Sequence, residues 1–415
     1  MNPQITRQLV RRTLLALATF ASAASHGQMI NFAQSPAGAS AREPAPNVIV
    51  SVDDSGSMGP TGMATLREAL TSTFGIGSNL ADDRIRLAWQ SMNRCPSLGT
   101  SSSACGNYNG MRYLSGTHRT NFDAWARGLV EGGGTPGHLM IDNAGQYLMG
   151  AIGANVNSPW AADPGNALNP VLSCRKNFHI FMTDGGWNSG TNNTNQHIDT
   201  SATNNGTRIT RSGNADGTTT TLPDLTVYQV NQNSLTGPQT RLYRDNFGGA
   251  TTTAGGAATT LSTLSDLAFF YWSRDLQSGL ANDVRPTINR STTESFVATN
   301  GASTTLEPFW NPRNNPATWQ NMVNYTIGFN QASAWTGAPA WGGDTFSGDL
   351  PNLINGGTFT WVSPFCGINN TGSGNRPCDG PGNGVANNVV GYSASANAGL
   401  VLDGRRMDLW HAALN

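Results

Sequence analysis

The stretch that decides the fold is residues 47–60, NVIVSVDDSGSMGP. Its first six residues form a short, β-branched run, typical of a buried strand, and turn-forming residues follow at once. Asp53, Ser55 and Ser57 then place oxygen-bearing side chains at alternate positions, and Gly56 allows the loop to bend. The stretch therefore predicts a buried strand with a polar loop at its carboxyl end.

Outward from this stretch, strand-like and helix-like segments alternate along the chain. The segments with these patterns are strands at 84–92, 177–185 and 324–330 and helices at 64–74, 118–129, 135–153 and 260–276. Strands that are separated by helices favour a parallel sheet covered on both faces. The expected fold class is thus α/β, with a doubly wound, mostly parallel, Rossmann-like sheet and long polar insertions.

Composition limits the partners that this chain can take. Only 12% of the 415 residues are charged and the formal net charge is -1, so no basic face is available for a phosphate backbone. We therefore expect no nucleic acid partner. Eleven Trp and fifteen Phe can fill a core, while Gly, Asn, Thr and Ser dominate between the apolar segments.

The beginning of the chain resembles an export signal. Arg7, Arg11 and Arg12 precede the apolar stretch TLLALATFASAAS, which predicts a signal peptide over 1–24 and a linker over 25–46. The paired arginines also allow twin-arginine export, but their neighbours match that signal poorly and favour the general route. No later apolar run is long enough to span a membrane. The expected location is the periplasm, a pilus tip or the outer cell surface.

The remaining chain divides into a main domain and an extension. The main domain is expected over 47–330, with a Thr/Asn/Gly-rich insertion at 188–258 that is too polar to form its own core. Residues 331–415 form a disulfide-stapled extension that ends in a helix.

Five cysteines suit an oxidising compartment. The economical pairing joins Cys95 to Cys105 and Cys366 to Cys378, each across a short loop. Cys174 is then left as a buried thiol, as an exchange partner for Cys95 or Cys105, or as a link to another chain. No spacing matches a zinc site.

Three polar segments are expected at one edge of the sheet, because ligands bind beyond the carboxyl ends of parallel strands. Asp53, Ser55 and Ser57 follow the first strand, Thr135 lies in the glycine-rich EGGGTP, and Asp184 ends a second central strand in FMTDGG. Taken singly, such residues are more often helix caps or turn formers. Together they predict an oxygen cage for a hard divalent cation, most simply Mg²⁺, with Mn²⁺ or Ca²⁺ as alternatives.

These residues carry a family resemblance. The five positions resemble the metal-ion-dependent adhesion site (MIDAS) of a von Willebrand factor type A domain. The phrases CRKNFHIFMTDGGWN, LSDLAFFYWSRDLQSGLANDV and MDLWHAALN resemble the N-terminal part of the PilY family, the type IV pilus assembly and tip-adhesin proteins. The family's large C-terminal β-propeller, with its calcium-binding loop, does not occur in these residues, so calcium control of pilus retraction is not assigned.

The resemblance implies a role for each residue. Ser55, Ser57 and Thr135 would bind the metal directly, while Asp53 and Asp184 would hold it largely through water. A carboxylate from a host or surface ligand would complete the coordination, and minor pilins at the pilus tip would be the assembly partners. The expected function is therefore pilus biogenesis with metal-dependent adhesion.

Two other functions stay open at this stage. In the first, the chain is a structural pilus assembly factor whose metal only stabilises the fold. In the second, more distant one, it is a metal-dependent hydrolase. We expect no enzyme, because no Ser, His and Asp combination is evident, the six histidines are best interpreted as satisfied or solvated, and GGGTPG lacks the Lys of a phosphate-binding loop.

Overall fold

A computed structural model gives the fold of part of the chain. The residues that it describes are 43–184, 187, 203–204, 207–208, 213–229, 240, 242–245, 249–252, 258–297, 301, 303–329, 341–342, 345–346, 369–370, 374–375 and 406–415. The predicted signal peptide at 1–24, most of the linker at 25–46, much of the 188–258 insertion, and Cys366 and Cys378 lie outside these residues.

The described strands range from two to seven residues. In chain order they are β1 (Asn47–Val52), β2 (Arg86–Ser91), β3 (Ser101–Ser102), β4 (Asn107–Tyr108), β5 (Arg112–Tyr113), β6 (Ala161–Asp163), β7 (Ala167–Val171), β8 (Asn177–Thr183), β9 (Thr203–Asn204), β10 (Thr207–Arg208), β11 (Thr220–Thr221), β12 (Val227–Tyr228), β13 (Gly249–Thr252), β14 (Ala258–Leu261), β15 (Glu294–Val297), β16 (Ser303–Leu306), β17 (Val323–Gly328), β18 (Trp341–Gly342), β19 (Thr345–Phe346), β20 (Asn369–Asn370) and β21 (Gly374–Asn375). The α-helices are α1 (Gly59–Phe74), α2 (Gly116–Arg127), α3 (Gly137–Met149), α4 (Leu264–Trp272) and α5 (406–412). Short 3-10 helices occupy Gly56–Met58, Ser103–Cys105 and Pro308–Trp310.

The central sheet has the strand order β17-β8-β1-β2-β5. β1 pairs in parallel with both β2 and β8, β17 is parallel to β8, and only the short edge strand β5 is antiparallel. The other described sheets are two-stranded and antiparallel. The predicted mixed α/β chain with a mostly parallel central sheet is therefore confirmed.

The two faces of β1 belong to different cores. Val48, Val50 and Val52 pack in one buried cluster with side chains of α1 and α2. Ile49 packs in a second cluster, with side chains of α3 and α4. Because successive side chains of a strand point to opposite faces, the run NVIVSV can supply both cores.

The helix predicted over 260–276 is wrong at both ends. Residues 258–261 pair as β14, and α4 begins only after Thr263, where Thr263 and Asp266 form a capping box. Every residue from 264 to 271 is buried, so α4 is a core helix, whereas the spacing of its apolar residues predicts an amphipathic helix. No helix in the described part of the chain is long and apolar enough to cross a membrane.

Candidate metal site

The loop after β1 begins with a buried carboxylate that is held on both oxygens. Asp53 is fully buried, and its Oδ1 accepts the Ser55 N–H at 2.8 Å. Its Oδ2 accepts the hydroxyl of Thr183, the last residue of β8, at 2.7 Å. The backbone N–H of Asp53 also donates to the Met182 carbonyl at 2.8 Å. The start of the loop is thus fixed to the end of the neighbouring strand.

Two serine hydroxyls of the same loop point to one place. Ser55 Oγ and Ser57 Oγ lie 2.9 Å apart, although Ser55 is fully buried and Ser57 is exposed. The ligand oxygens of an octahedral Mg²⁺ lie about 2.1 Å from the ion, which places neighbouring oxygens about 3.0 Å apart. The spacing and the chemistry of this pair therefore fit two adjacent positions around a hard cation.

The glycine-rich loop lies against the β1 loop. Gly56 N–H donates to the Gly133 carbonyl at 3.2 Å, and Gly132 N–H donates to the Asp54 carbonyl at 2.8 Å. Gly133 has a φ of +86°, and a Cβ there would lie 2.3 Å from Asn93 Oδ1, so the close approach requires glycine. Thr135 follows two residues later, 1% exposed, just before α3. The loop contact brings the segment of Thr135 to the same sheet edge.

Asp184 completes the set of predicted residues. It is half-buried and directly follows Thr183, whose hydroxyl contacts Asp53. Burial raises the pKa of Asp53; the hydrogen bonds from Ser55 and Thr183 oppose this rise, and the nearby charge of Asp184 adds to it. A cation at this edge would offset the cost of keeping the Asp53 carboxylate charged. We call Asp53, Ser55, Ser57, Thr135 and Asp184 the sheet-edge site.

Asp54 is a structural residue that the sequence did not reveal. Its fully buried carboxylate accepts Asn93 N–H at 2.8 Å, Asn93 Nδ2 at 3.0 Å and Arg94 N–H at 3.1 Å. Asn93 Nδ2 donates in turn to the Gly134 carbonyl at 2.9 Å. Asp54 therefore joins the loop after β1 to the loop after β2, and through Asn93 to the glycine-rich loop.

A disulfide closes the loop that follows β2. Cys95 and Cys105 are bonded to each other, and both are buried. Cys95 N–H also donates to Ser91 Oγ at 3.0 Å. Cys174 is half-buried before β8 and forms no disulfide with a described residue.

A Ser-His-Asn series crosses the centre of the sheet. Gln90 Nε2 donates to Ser51 Oγ at 2.7 Å, Ser51 Oγ lies 2.7 Å from His179 Nε2, and His179 Nδ1 lies 2.8 Å from Asn324 Oδ1. These side chains come from β2, β1, β8 and β17. Because Asn324 Oδ1 only accepts, Nδ1 of His179 carries the proton and Nε2 accepts from Ser51.

This series is structural, although its residue types resemble a nucleophilic triad. Ser51 and His179 are both 0% exposed, so no substrate can reach the hydroxyl. Burial lowers the pKa of His179 to about 4, and the hydrogen bond with Asn324 opposes this only in part. His118 is similar: burial lowers its pKa to about 4, its Nε2 lies 2.8 Å from the Leu87 carbonyl, and it is thus a satisfied histidine.

The fold and this edge define a mixed α/β domain whose strand ends form a candidate cation site. The chain is 31% identical over 334 residues to the type IV pilus biogenesis factor PilY1 of Pseudomonas aeruginosa strain PAK, a match that covers 80% of this chain and 21% of that protein. PilY1 of strain PAO1 is 31% identical over 336 residues, with the same coverage, and PilY1 of strain UCBPP-PA14 is 32% identical over 283 residues, covering 68% and 19%. These similarities support the assignment of this chain to the PilY family.

The match covers only a small part of the PilY1 proteins. The chain spans about a fifth of the length of the PilY1 proteins that it matches. No protein-family profile matches the chain. A crystal structure of the pilus adhesin SpaC from Lactobacillus rhamnosus GG aligns with a TM-score of 0.25 and 13% identity, covering 55% of this chain and 23% of that one. A similarity this low says nothing about the fold of this chain.

Proposed function

We propose that this chain takes part in type IV pilus biogenesis and that its sheet-edge site is the metal-ion-dependent adhesion site of a von Willebrand factor A-like domain. The similarity to the PilY1 biogenesis factors supports the first part. The second part rests on the contacts that bring three segments together at one sheet edge. Asp53 contacts Thr183 beside Asp184, and Gly56 contacts Gly133 near Thr135.

The donor set suits Mg²⁺, with Mn²⁺ or Ca²⁺ as alternatives, because it offers oxygen alone. Ser55, Ser57 and Thr135 would hold the ion directly, and Asp53 and Asp184 largely through water. An ion held mainly by neutral hydroxyls keeps positive charge with which to attract a carboxylate. The exposure of Ser57 supports access for a ligand from outside.

The partners in this proposal are minor pilins of the pilus tip complex and a host or surface molecule that offers a carboxylate. The chain would be exported and would act in the periplasm, at the pilus tip or on the outer surface. We infer no enzymatic role, since the relatives are biogenesis factors by name and the Ser51–His179 pair is sealed in the sheet.

A structural metal is the second candidate, and a specific observation favours it. Ser55 and Thr135, two of the three hydroxyl ligands, are almost fully buried. In that case the protein itself would close the coordination and no outside ligand would bind. A hydrolase would further need a general base within reach of a metal-bound water.

Calorimetry with Mg²⁺ and Mn²⁺ on the purified chain tests the metal claim, with Asp53→Ala and Thr135→Ala as disrupted variants. Ser72→Ala is the matched control, because Ser72 is an exposed hydroxyl on α1 that donates to its own helix. The same proteins are then applied to carboxylated beads and to hydroxylated beads, with and without chelator. In parallel, cells that lack the protein are complemented with each variant and their surface pili are counted.

Each outcome selects one function. Metal binding and carboxylate retention that disappear together in both variants support adhesion. Metal binding that disappears without any change in retention, but with fewer pili, supports the structural assembly factor. Absence of metal binding in the wild type would refute the sheet-edge site and leave only the family assignment.

A further inference from the structure

A second polar region lies at the N-terminus of α4, away from the sheet-edge site. Four carboxylates are buried there, and two of them cap the helix. Asp266 accepts Thr263 N–H at 2.9 Å, while Asp408 accepts the N–H groups of Leu264 at 2.9 Å and Ser265 at 3.0 Å. Capping of orphan helix N–H groups accounts for both residues.

The other two carboxylates, Asp216 and Asp245, are not needed for capping. Asp216 is 0% exposed, and its Oδ1 accepts Asp245 N–H at 3.4 Å. Asp245 Oδ2 accepts the Ser265 hydroxyl at 3.3 Å. Asp216 and Asp245 thus bring two buried carboxyl groups close together, and a cation between them would offset the cost of burying their charge.

His411 from α5 is oriented as a metal-ligating histidine usually is. Its Nε2 lies 2.8 Å from the Tyr243 carbonyl, and because a carbonyl only accepts, Nε2 carries a proton. Its protonated Nε2 lies 3.8 Å from Asp216 Oδ2, and its Nδ1 lies 3.7 Å from Asp245 Oδ2. The separation of Nδ1 from Asp245 Oδ2 is too long for a hydrogen bond but allows one ion to contact both atoms at about 2.1 Å. Donation of the other ring N–H to a backbone carbonyl is the common arrangement around a bound metal.

Asn415 gives an independent indication of a cation-binding region. The residue is 8% exposed, and its Nδ2 donates to Asp216 Oδ2 at 3.0 Å and to the Ser265 carbonyl at 3.3 Å. The oxygen of the same amide, Oδ1, is buried and has no hydrogen-bond partner within the described part of the chain. A buried amide oxygen beside carboxylates is a group that a cation can satisfy.

We propose that Asp216, Asp245 and His411 bind one divalent transition-metal ion, of the Zn²⁺ or Mn²⁺ class. The three ligand atoms lie within 4.8 Å of one another and all three residues are buried. Carboxylate oxygens mixed with one imidazole nitrogen suit these ions better than Mg²⁺, which prefers oxygen alone. We call Asp216, Asp245 and His411 the buried cluster.

This ion would have a structural consequence. Its ligands come from residues 213–229, from residues 242–245 and from α5, which lie far apart in the chain. Ser265 and Asn415 connect the same cluster to the start of α4, which packs on the central sheet. The ion would therefore fasten the polar insertion and the last helix to the core.

Metal analysis of the purified full chain tests this inference. Chelator-treated protein is dialysed against Zn²⁺ or Mn²⁺, and bound metal is counted for wild type, His411→Gln and Asp245→Asn. The matched control is Asp224→Asn, an exposed aspartate in the same insertion whose Oδ1 accepts Thr226 N–H. We expect wild type and Asp224→Asn to bind, and both cluster variants to lose affinity by at least about 100-fold.

Two further measurements keep the test decisive. Circular dichroism establishes that each variant is folded, and Co²⁺ loading of the wild type should give a visible absorption band that His411→Gln alters. Asp53→Ala should still bind the ion of the buried cluster. Failure of this inference can therefore be distinguished from failure of the adhesion proposal. Equal metal content in wild type and a folded His411→Gln variant, or no Zn²⁺ or Mn²⁺ binding in the wild type, would overturn the inference.

Discussion

The sheet-edge site and the buried cluster differ in chemistry and in access. The sheet-edge site offers oxygen alone, includes neutral hydroxyls, and has one exposed member, Ser57. The buried cluster combines two carboxylates with an imidazole, and all of its members are buried. An ion at the sheet edge can therefore meet an outside ligand, whereas an ion in the buried cluster can only join segments of the chain. In our proposals, recognition therefore belongs to the sheet-edge site and stabilisation to the buried cluster.

Each region contains a carboxylate that supports the backbone in addition to the proposed metal ligands. Asp54 and Asp408 each accept backbone N–H groups from another segment, so each one fixes the backbone. Asp53, which directly precedes Asp54, belongs to the sheet-edge site, and Asp216, which accepts the Asp245 N–H, belongs to the buried cluster. Substitutions at neighbouring aspartates should thus have different effects.

The largest effect is expected for Asp54→Ala. It removes the acceptor for three donors of Asn93 and Arg94. We expect the free energy of unfolding to fall by about 4 kcal/mol, with metal absent or present. Asp53→Asn should instead leave the metal-free stability within about 1 kcal/mol, because burial already disfavours its charge, and should abolish the response to Mg²⁺. Urea unfolding with and without Mg²⁺ measures the stability of both variants. Equal losses of stability in Asp54→Ala and Asp53→Asn would contradict the distinction between a supporting and a metal-binding carboxylate.

Acid should act on the sheet through the buried histidine of β8, His179. The pKa of His179 is about 4 in the folded chain against an ordinary 6.5, so the unfolded chain binds the proton first on acidification. Stability from this group is complete above pH 6.5 and falls by up to about 3 kcal/mol as the pH drops to 4. Urea unfolding at pH 7.5 and 4.5 should show a smaller acid loss for His179→Gln than for wild type. An unchanged loss in His179→Gln would contradict the neutral Ser51–His179–Asn324 series.

Much of the fold follows from the sequence, for reasons visible in particular elements. β1, β8 and β17 were predicted nearly at their observed bounds from their β-branched and aromatic residues. β1 is buried as expected, whereas the expectation that β17 is buried was wrong, since Tyr325 and Ile327 are exposed. The two-residue strands, such as β5, carry no periodicity and were not predicted. The bounds of α4 depend on the capping box and on pairing of β14 with β13, neither of which hydrophobic spacing shows.

The two candidate sites differ in how far the sequence reveals them. The sheet-edge residues could be selected because parallel topology places strand ends at one edge, and because Asp53, Ser55 and Ser57 share one loop. The role of Asp54 could not be predicted, since its hydrogen-bond partners come from the loop after β2. Asp216 and His411 are 195 positions apart in the chain and meet only through packing of α5. The sequence alone gave His411 no role beyond that of a satisfied or solvated histidine.

A smaller effect is expected for the disulfide near the sheet edge. Cys95 and Cys105 close a loop with a sequence separation of 10, next to the residues that bind Asp54. Replacing both with Ser should lower the free energy of unfolding by about 2–3 kcal/mol, through greater freedom of the unfolded chain. Thermal unfolding measures this, with Cys174→Ser as the matched control because Cys174 forms no disulfide with a described residue. Equal losses in the two proteins would show that the disulfide does not support the edge.

The smallest effect on stability, and the most direct test of the adhesion site, is expected for Ser57→Ala. Ser57 is exposed and its described side-chain contact is with Ser55, so the metal-free stability should not change measurably. Calorimetric titration of chelator-treated chain with Mg²⁺ should give binding in wild type and in Ser72→Ala. Binding by Ser57→Ala should be weaker by at least about 10-fold. Equal Mg²⁺ affinity in Ser57→Ala and Ser72→Ala, or no Mg²⁺ binding by the wild type, would contradict the account.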